Sequence, residues 1–245
     1  MPNKNIFSSF EVKNMTSNSA DLYFYGDIVS DWWGAWQDED QYPDNIKNLL
    51  AEYDGKDLNI YINSGGGSVF AGIAIYNMIK RYALKHKVQV YVDGLAGSIA
   101  SILAFAGSEK PIVPSNAYMM IHNPWTSTIG NAEDHIKAAE TLEAVKKGIM
   151  AIYSENKCDG VTDEKISEMM DEETWLDGAS VASIFDIEVG ASVDAVAAVG
   201  ETYKNYSNMP EKLKVAPVQQ LVDDTSEKIS EIQDKIKRLV IENLC

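Results

Sequence analysis

The chain has 245 residues, of which 45% are hydrophobic and 24% charged, and its formal net charge is −16 at pH 7. A chain of this length has room for one substantial core and an appendage, and the composition is typical of a soluble globular protein. The negative charge argues against binding to nucleic acid or to an anionic membrane surface, because both attract Lys and Arg side chains.

Hydropathy and cysteine content indicate the cellular compartment of the protein. The longest nearly apolar run, residues 94–107, is shorter than the roughly 20 residues that span a bilayer. The polar first residues show no signal peptide. Cys158 and Cys245 lie far apart, without the spacing of a metal site or of a disulfide framework. We therefore expect a cytoplasmic protein with no membrane segment and no metal site built on its cysteines.

The order of apolar and polar residues predicts alternating strands and helices up to residue 199. Strands are predicted at 21–25, 58–62, 88–92, 111–113, 117–121 and 191–199. Helices are predicted at 45–53, 69–82, 99–105, 131–153, 162–170 and 178–185. This repetition of strand, turn and helix is typical of an α/β fold with buried parallel strands.

The two ends of the chain differ from this pattern. Residues 1–20 are polar and are predicted to form a flexible segment before the domain at 21–200. Within that domain, the three Trp of residues 31–36 are typical of side chains that fill a core or an interface. Residues 201–245 are predicted to be a linker and a helical tail, since apolar residues recur there every three or four positions. About three heptads of this kind suit self-association or docking.

The segment 93–101 is the first candidate for chemistry. The small residues Gly94, Ala96 and Gly97 predict a sharp turn after a strand, and the apolar run at 99–105 predicts a buried helix. Ser98 would then lie at a helix start, where backbone N–H groups stabilise the negative charge that develops beside a serine nucleophile. Small residues in an apolar helix also serve close packing alone, so this segment leaves both interpretations open.

A histidine and a glycine run follow two of the predicted strands. Of the three histidines, His122 is the best candidate for a general base, because open α/β sheets form their sites at the carboxyl ends of strands. Residues 65–67 are all glycine and lack the Lys-Ser/Thr of a P-loop. They fit either a phosphate cradle or a backbone segment left open for a peptide or acyl group.

Three motifs together resemble the proteolytic subunit of the Clp protease, ClpP. They are INSGGGSVFAGIAIYNMI at 62–79, GLAGSIASILAFAG at 94–107 and PSNAYMMIHNP at 114–124. Their order and spacing match the family from about residue 21 to residue 190. The resemblance implies a ClpP/crotonase-like α/β fold of repeated β-β-α units, here followed by the helical, coiled-coil-like tail. It also implies a serine peptidase with a Ser-His-Asp triad.

The resemblance assigns a role to each site residue. Ser98 would be the nucleophile and His122 its general base, with the backbone N–H groups of Gly67 and Ile99 as the oxyanion hole. Ser101 is the rival nucleophile, although a hydroxyl deeper in a helix tends to bond back to the backbone. The residues implied for substrate binding are Gly66, Ser68, Val69, Trp125 and Thr126. No metal and no cofactor are implied.

The third triad member departs from the family's pattern. The family has an Asp two residues before an aromatic residue, and here Glu173 stands two residues before Trp175. A Glu can orient an imidazole, but its extra methylene changes its reach. Asp171 and Glu172 therefore stay open as alternatives for the acid.

Assembly and partners are also implied by the resemblance. The family forms homo-oligomers, as a heptameric ring or double ring, and the helix at 131–153 would mediate contact between rings. The short N-terminal segment and the added tail resemble phage- and prophage-encoded members, including head-maturation proteases. Partners to consider are therefore a Clp ATPase and a phage capsid or scaffold protein.

The sequence thus predicts a self-compartmentalised serine endopeptidase that acts on peptides or proteins and does not depend on a Clp-type unfoldase. Two alternatives stay open. One is a catalytically weak or inactive assembly protein that keeps the fold. The other is a crotonase-type acyl-CoA enzyme, which would have no reason to keep Ser98 together with His122.

Overall fold

The computed structural model of the protein describes residues 12–13, 15–30, 41–192 and 206–210. The strands are β1 (Val12–Lys13), β2 (Ser19–Tyr25), β3 (Asp57–Ser64), β4 (Val88–Gly97), β5 (Ile112–Pro114), β6 (Tyr118–Ile121), β7 (Thr174–Asp177) and β8 (Glu188–Gly190). The helices are α1 (Pro43–Glu52), α2 (Val69–Ala83), α3 (Ala100–Leu103), α4 (Ala132–Asn156), α5 (Asp163–Asp171) and α6 (Gly178–Ile184), with a 3₁₀ turn at Ala104–Ala106.

The described strands form one sheet in the order β1-β2-β3-β4-β5-β8, while β6 pairs with both β4 and β7. Strands β2, β3, β4, β5, β6 and β8 run parallel to one another, while β1 is antiparallel to β2 and β7 is antiparallel to β6. Parallel neighbours need crossover connections, and α1 and α2 supply them between β2, β3 and β4. The predicted α/β fold class is confirmed.

Side chains alternate between the two faces of the central strands. Leu22, Ile60 and Val90 form one cross-strand row and are buried in the core. The next row, on the other face, is Tyr23, Tyr61 and Tyr91, whose rings stack with centroids 4.8 and 4.9 Å apart. This period of two is what a sheet with one face against helices requires.

The turn near the candidate nucleophile corrects the sequence-based prediction. Strand β4 does not end at residue 92 but continues to Gly97, and α3 is only four residues long. The extension has a partner, because β4 leaves β5 after Tyr91 and pairs with β6 from Leu95 onward. The chain therefore turns at Ser98, not at 94–97.

The other helices agree with their predicted positions to within a few residues. A capping box at Asn131 starts α4, and the side chains of Thr162 and Asp177 cap α5 and α6. Strands β1, β7 and β8 were not predicted, because each is short and lacks the apolar run that indicates β5 and β6. The Trp-rich segment at 31–36, most of the predicted strand at 191–199 and the predicted tail helix lie outside the described residues.

The compact unit that contains the sheet extends to Asn208, somewhat beyond the boundary predicted at residue 200. The division of the chain into a segment at 1–20, a domain at 21–200 and a tail at 201–245 stays a prediction. No helix in the described ranges combines the length and the apolar character needed to cross a membrane.

Candidate catalytic site

The turn between β4 and α3 presents Ser98 in an unusual backbone conformation. Its φ angle is 51°, in the left-handed region that few residues other than glycine adopt. The Ser98 N–H donates to the carbonyl of Met120 in β6 at 2.8 Å, which fixes the turn on the neighbouring strand. Such strained residues cluster at active sites, where surrounding contacts hold them in place.

His122 follows directly after β6, so the carboxyl ends of β4 and β6 bring Ser98 and His122 together. Ser98 Oγ lies 2.7 Å from His122 Nε2. Burial lowers the pKa of His122 below its usual 6.5, and the negative charge of Glu173 partly offsets this effect. A neutral imidazole at this distance can take the hydroxyl proton of Ser98.

The glycine run packs against the Ser98 turn. Gly66 and Gly67 both have positive φ angles, of 100° and 140°. A Cβ at Gly66 would lie 2.7 Å from Ser98 Cβ, and one at Gly67 would lie 2.1 Å from the Ile28 carbonyl oxygen. Only glycine fits these two positions.

Two backbone amides beside Ser98 suit an oxyanion hole. Within the described part of the chain, neither the Gly67 N–H nor the Ile99 N–H donates a hydrogen bond to another residue. Unpaired donors of this kind beside a nucleophile are what a tetrahedral oxyanion requires. Their assignment to the oxyanion hole stays a prediction.

The carboxylate of Glu173 does not hydrogen-bond to His122 in this structure. Its two oxygens accept the backbone N–H groups of Ser207 at 2.9 Å and Asn208 at 2.7 Å. The indole N–H of Trp175 donates to it as well, at 3.3 Å. The role of Glu173 as the triad acid therefore stays a prediction, and in this conformation its oxygens are engaged elsewhere.

The two alternative acids are not bonded to His122 either. Asp171 accepts hydrogen bonds from Lys146 Nζ at 2.8 Å and from the Asn123 side chain at 2.7 Å. These two hydrogen bonds, together with the charge of Lys146, lower the pKa of Asp171 below its ordinary value. Its position fixes the loop that follows His122. Glu172 contributes its backbone carbonyl, which accepts from the Asn208 side chain at 2.6 Å.

A cleft of about 570 Å³ opens beside Ser98 and His122. Four of the residues predicted to bind substrate line this cleft: Ser68, Val69, Trp125 and Thr126. Gly66 does not line it. Phe70 and Trp125, which are 72% and 66% exposed, add apolar surface to its wall. Nowhere in the described ranges are three or more His, Cys, Asp or Glu grouped so as to hold a metal ion.

The sequence profile described as Clp protease matches residues 37–184. The chain belongs to the Clp protease family. That match includes the glycine run, Ser98, His122 and Glu173, so all the candidate site residues lie inside the family's region.

Individual relatives are similar to this family member over about half of its length. An ATP-dependent Clp protease proteolytic subunit of Streptococcus mutans is 36% identical over 132 residues, covering 53% of this chain and 65% of the relative. The subunit of Bacteroides fragilis is 33% identical over 123 residues, covering 50% and 58%. Subunit 1 of Streptomyces coelicolor is 36% identical over 130 residues, covering 53% and 58%. The match thus spans less than two thirds of each relative.

Sequence reasoning missed one residue of this candidate site. Tyr206 lines the cleft, and its hydroxyl donates to the Gly65 carbonyl. Its ring stands edge-on to His122, with centroids 5.2 Å apart. No sequence signal could have indicated it, because Tyr206 lies 84 positions after His122 in a stretch that is predicted to be a linker.

Ser101, the rival nucleophile, is fully buried behind the Ser98 turn. Its hydroxyl donates to the Ser98 carbonyl and lies 2.6 Å from the hydroxyl of Tyr153 in α4. Burial raises the pKa of Tyr153, which keeps this phenol protonated. Ser101 therefore supports the turn that holds the nucleophile, and its hydroxyl does not face the cleft lined by Ser98.

We expect Ser101→Ala to lower the free energy of unfolding by about 1–3 kcal/mol, because it leaves the buried Tyr153 hydroxyl without a partner. Tyr153→Phe should cost less, since Ser101 still donates to the Ser98 carbonyl. The double variant should resemble Tyr153→Phe, because both partners are then removed. Urea unfolding monitored by circular dichroism measures all three. Equal losses in the two single variants would contradict this account.

Proposed function

We propose that the chain is a serine endopeptidase in which Ser98 is the nucleophile and His122 the general base. The observation that carries this proposal is the 2.7 Å distance between Ser98 Oγ and His122 Nε2, beside the amides of Gly67 and Ile99, which have no hydrogen-bond acceptor among the described residues. Membership of the Clp protease family supports it. The relatives whose names describe a protease subunit point to the same chemistry.

The reaction follows from this geometry. Ser98 Oγ attacks the peptide carbonyl while His122 Nε2 takes the hydroxyl proton, and the Gly67 and Ile99 amides donate to the oxyanion. The C–N bond then breaks as His122 returns the proton to the leaving amine. A water molecule, deprotonated by His122, attacks the acyl carbonyl on Ser98. The bond from this carbon to Ser98 Oγ then breaks, His122 returns the proton to Ser98 Oγ, and the second product leaves as a carboxylic acid. Glu173 is the proposed carboxylate that orients His122 during these steps.

A serine-directed fluorophosphonate tests this proposal, with the labelled residue identified by mass spectrometry. We expect label on Ser98 and hydrolysis of fluorogenic peptides by the same preparation. Label on Ser101 would overturn the assignment of the nucleophile. Turnover of an acyl-CoA without peptide hydrolysis would favour the crotonase-type alternative. Intact Ser98 without label or turnover would favour an inactive assembly protein.

The pH profile of kcat/KM should have its acid limb below pH 6.5, because burial lowers the pKa of His122 from that value. The neutral imidazole is the active form, so activity is full above this pKa and falls as His122 becomes protonated. Glu173→Gln should move the limb to still lower pH, since it removes a charge that favours the protonated form. An acid limb above pH 6.5 would contradict this assignment.

Self-association is the second part of the proposal. The apolar stripe of α4 consists of Ile136, Ala139, Leu142, Val145 and Ile149. Only its C-terminal end is buried in the described fold, and Ile136 is 59% exposed. An apolar stripe at the surface of a helix calls for a partner surface. A ring of identical subunits, which encloses the clefts, would supply one.

We expect Ile136→Asp to reduce the molar mass in solution, measured by light scattering, from that of a ring toward that of the monomer. Glu143→Gln, an exposed change on the same helix, is the control. Degradation of casein should be measured with and without a Clp ATPase and ATP. A monomeric parent protein, or degradation that requires the ATPase, would contradict the proposed unfoldase-independent ring. The phage role and the cytoplasmic location stay predictions.

A further inference from the structure

Residues 206–208 approach the catalytic site from a distant part of the sequence. The backbone N–H groups of Ser207 and Asn208 donate to the two oxygens of Glu173, and the Asn208 side chain donates to the Glu172 carbonyl. Hydrogen bonds to a carboxylate are about twice as strong as those between neutral groups. The segment is therefore held by specific contacts, and Glu173 is its main anchor.

The side chain of Tyr206 extends this contact to the catalytic pair. Its hydroxyl donates to the Gly65 carbonyl in the glycine run, and its ring contacts His122 and Trp175 at centroid distances of 5.2 and 5.9 Å. Burial raises the pKa of the Tyr206 phenol, an effect that the neighbouring Ser98 hydroxyl partly offsets. The phenol therefore stays protonated as a donor. Tyr206 fills part of the cleft that a substrate would enter.

We propose that residues 206–208 form an inhibitory segment that binds across the site and engages the carboxylate needed to orient His122. This inference rests on the proposed peptidase function. Two effects follow from one binding event. Tyr206 occupies space beside Ser98 and the glycine run, and the amides of Ser207 and Asn208 keep Glu173 from His122.

Competition with substrate favours the bound segment because it belongs to the same chain. A tethered group acts at an effective concentration on the order of millimolar, well above that of a dilute peptide. Departure of the segment would open the cleft and free Glu173 in the same step. Peptides that bind to the apolar wall of Phe70 and Trp125 would have to displace Tyr206.

Hydrogen exchange tests whether the segment is bound, independently of catalysis. The amides of Ser207 and Asn208 should exchange slowly in the parent protein and rapidly in Glu173→Ala. Glu172→Ala is the matched control, because it leaves the Glu172 carbonyl in place and should preserve the protection. Fast exchange in the parent protein, or equal protection in all three proteins, would overturn the inference.

The rate of fluorophosphonate labelling at Ser98 tests whether the bound segment inhibits. Tyr206→Ala removes the ring that occupies part of the cleft, so it should accelerate labelling at least about tenfold. Tyr206→Phe should give a smaller increase, since it keeps the ring, and Leu84→Ala, a change at a residue 85% exposed, should give none. Equal or slower labelling in Tyr206→Ala would overturn the inference while leaving the proposed function intact. If no variant is labelled, the proposed function fails, and the exchange measurement still decides whether the segment binds.

Discussion

Ser98→Ala is expected to lower kcat for peptide hydrolysis by about 10⁴- to 10⁶-fold with the fold unchanged. The reason is that Ser101, the rival nucleophile, cannot replace it. Ser101 is buried and bonded to the Ser98 carbonyl and to Tyr153. The residual rate enhancement would come from substrate binding and from the Gly67 and Ile99 amides. Peptide turnover by the purified full-length variant gives the measurement.

Ser183→Ala is the matched control, since Ser183 is an exposed serine in α6 whose hydroxyl bonds locally to the Ser180 carbonyl. It should retain the parent rate. Circular dichroism and urea unfolding should be the same for both variants. Residual activity in Ser98→Ala above about one hundredth of the parent rate would mean that another group attacks the carbonyl.

The second large effect is expected at Glu173. In a Tyr206→Ala background, Glu173→Gln should reduce kcat by a factor on the order of 10² to 10⁴, because an amide keeps the reach of the side chain but does not stabilise the imidazolium. The background is needed because Glu173 also anchors residues 207 and 208, so that Glu173→Gln alone would also release the Tyr206 ring from the cleft. Without this background, release of the segment would raise the rate of hydrolysis while loss of the carboxylate would lower it.

Glu172→Gln in the same background is the control and should leave kcat nearly unchanged, since only the Glu172 backbone carbonyl has a contact in the site. Equal losses in the two variants would mean that the acid has been assigned to the wrong position. A parent-like rate in Glu173→Gln would mean that His122 works without a carboxylate from this segment.

The pairing of Ser98 with His122 could be anticipated from the sequence for a simple reason. Both residues follow apolar strand-like runs, and the carboxyl ends of parallel neighbours meet at one edge of a sheet. The glycine run could be anticipated as an open backbone, although not the close approach of Ile28 that makes Gly67 obligatory. These features depend on short stretches whose own pattern is strong.

Other features depend on contacts that sequence patterns do not encode. The end of β4 at Gly97 is set by its pairing with β6, so residues 94–97 look like a turn when considered alone. The partners of Glu173 lie 34 and 35 positions further along the chain, in a stretch with no periodic pattern. Ser101, which supports the turn at Ser98, is hydrogen-bonded to Tyr153 in α4. The helical pattern of α4 indicates that position 153 is buried, but not that its hydroxyl meets Ser101.

Helix α4 is anchored in the core near its C-terminal end and exposed near its N-terminal end. Its 25 residues extend about 37 Å at 1.5 Å per residue. Ile149 and Tyr153 fix the C-terminal end in the core, while Ile136 near the other end faces solvent. A displacement of the exposed end would be transmitted along α4 to the Tyr153 hydroxyl. Its hydrogen bond to Ser101, and that of Ser101 to the Ser98 carbonyl, would pass the displacement to the backbone of Ser98. In the proposed ring, a neighbouring subunit that contacts the exposed end of α4 would therefore act on the proposed nucleophile, Ser98, without contacting it.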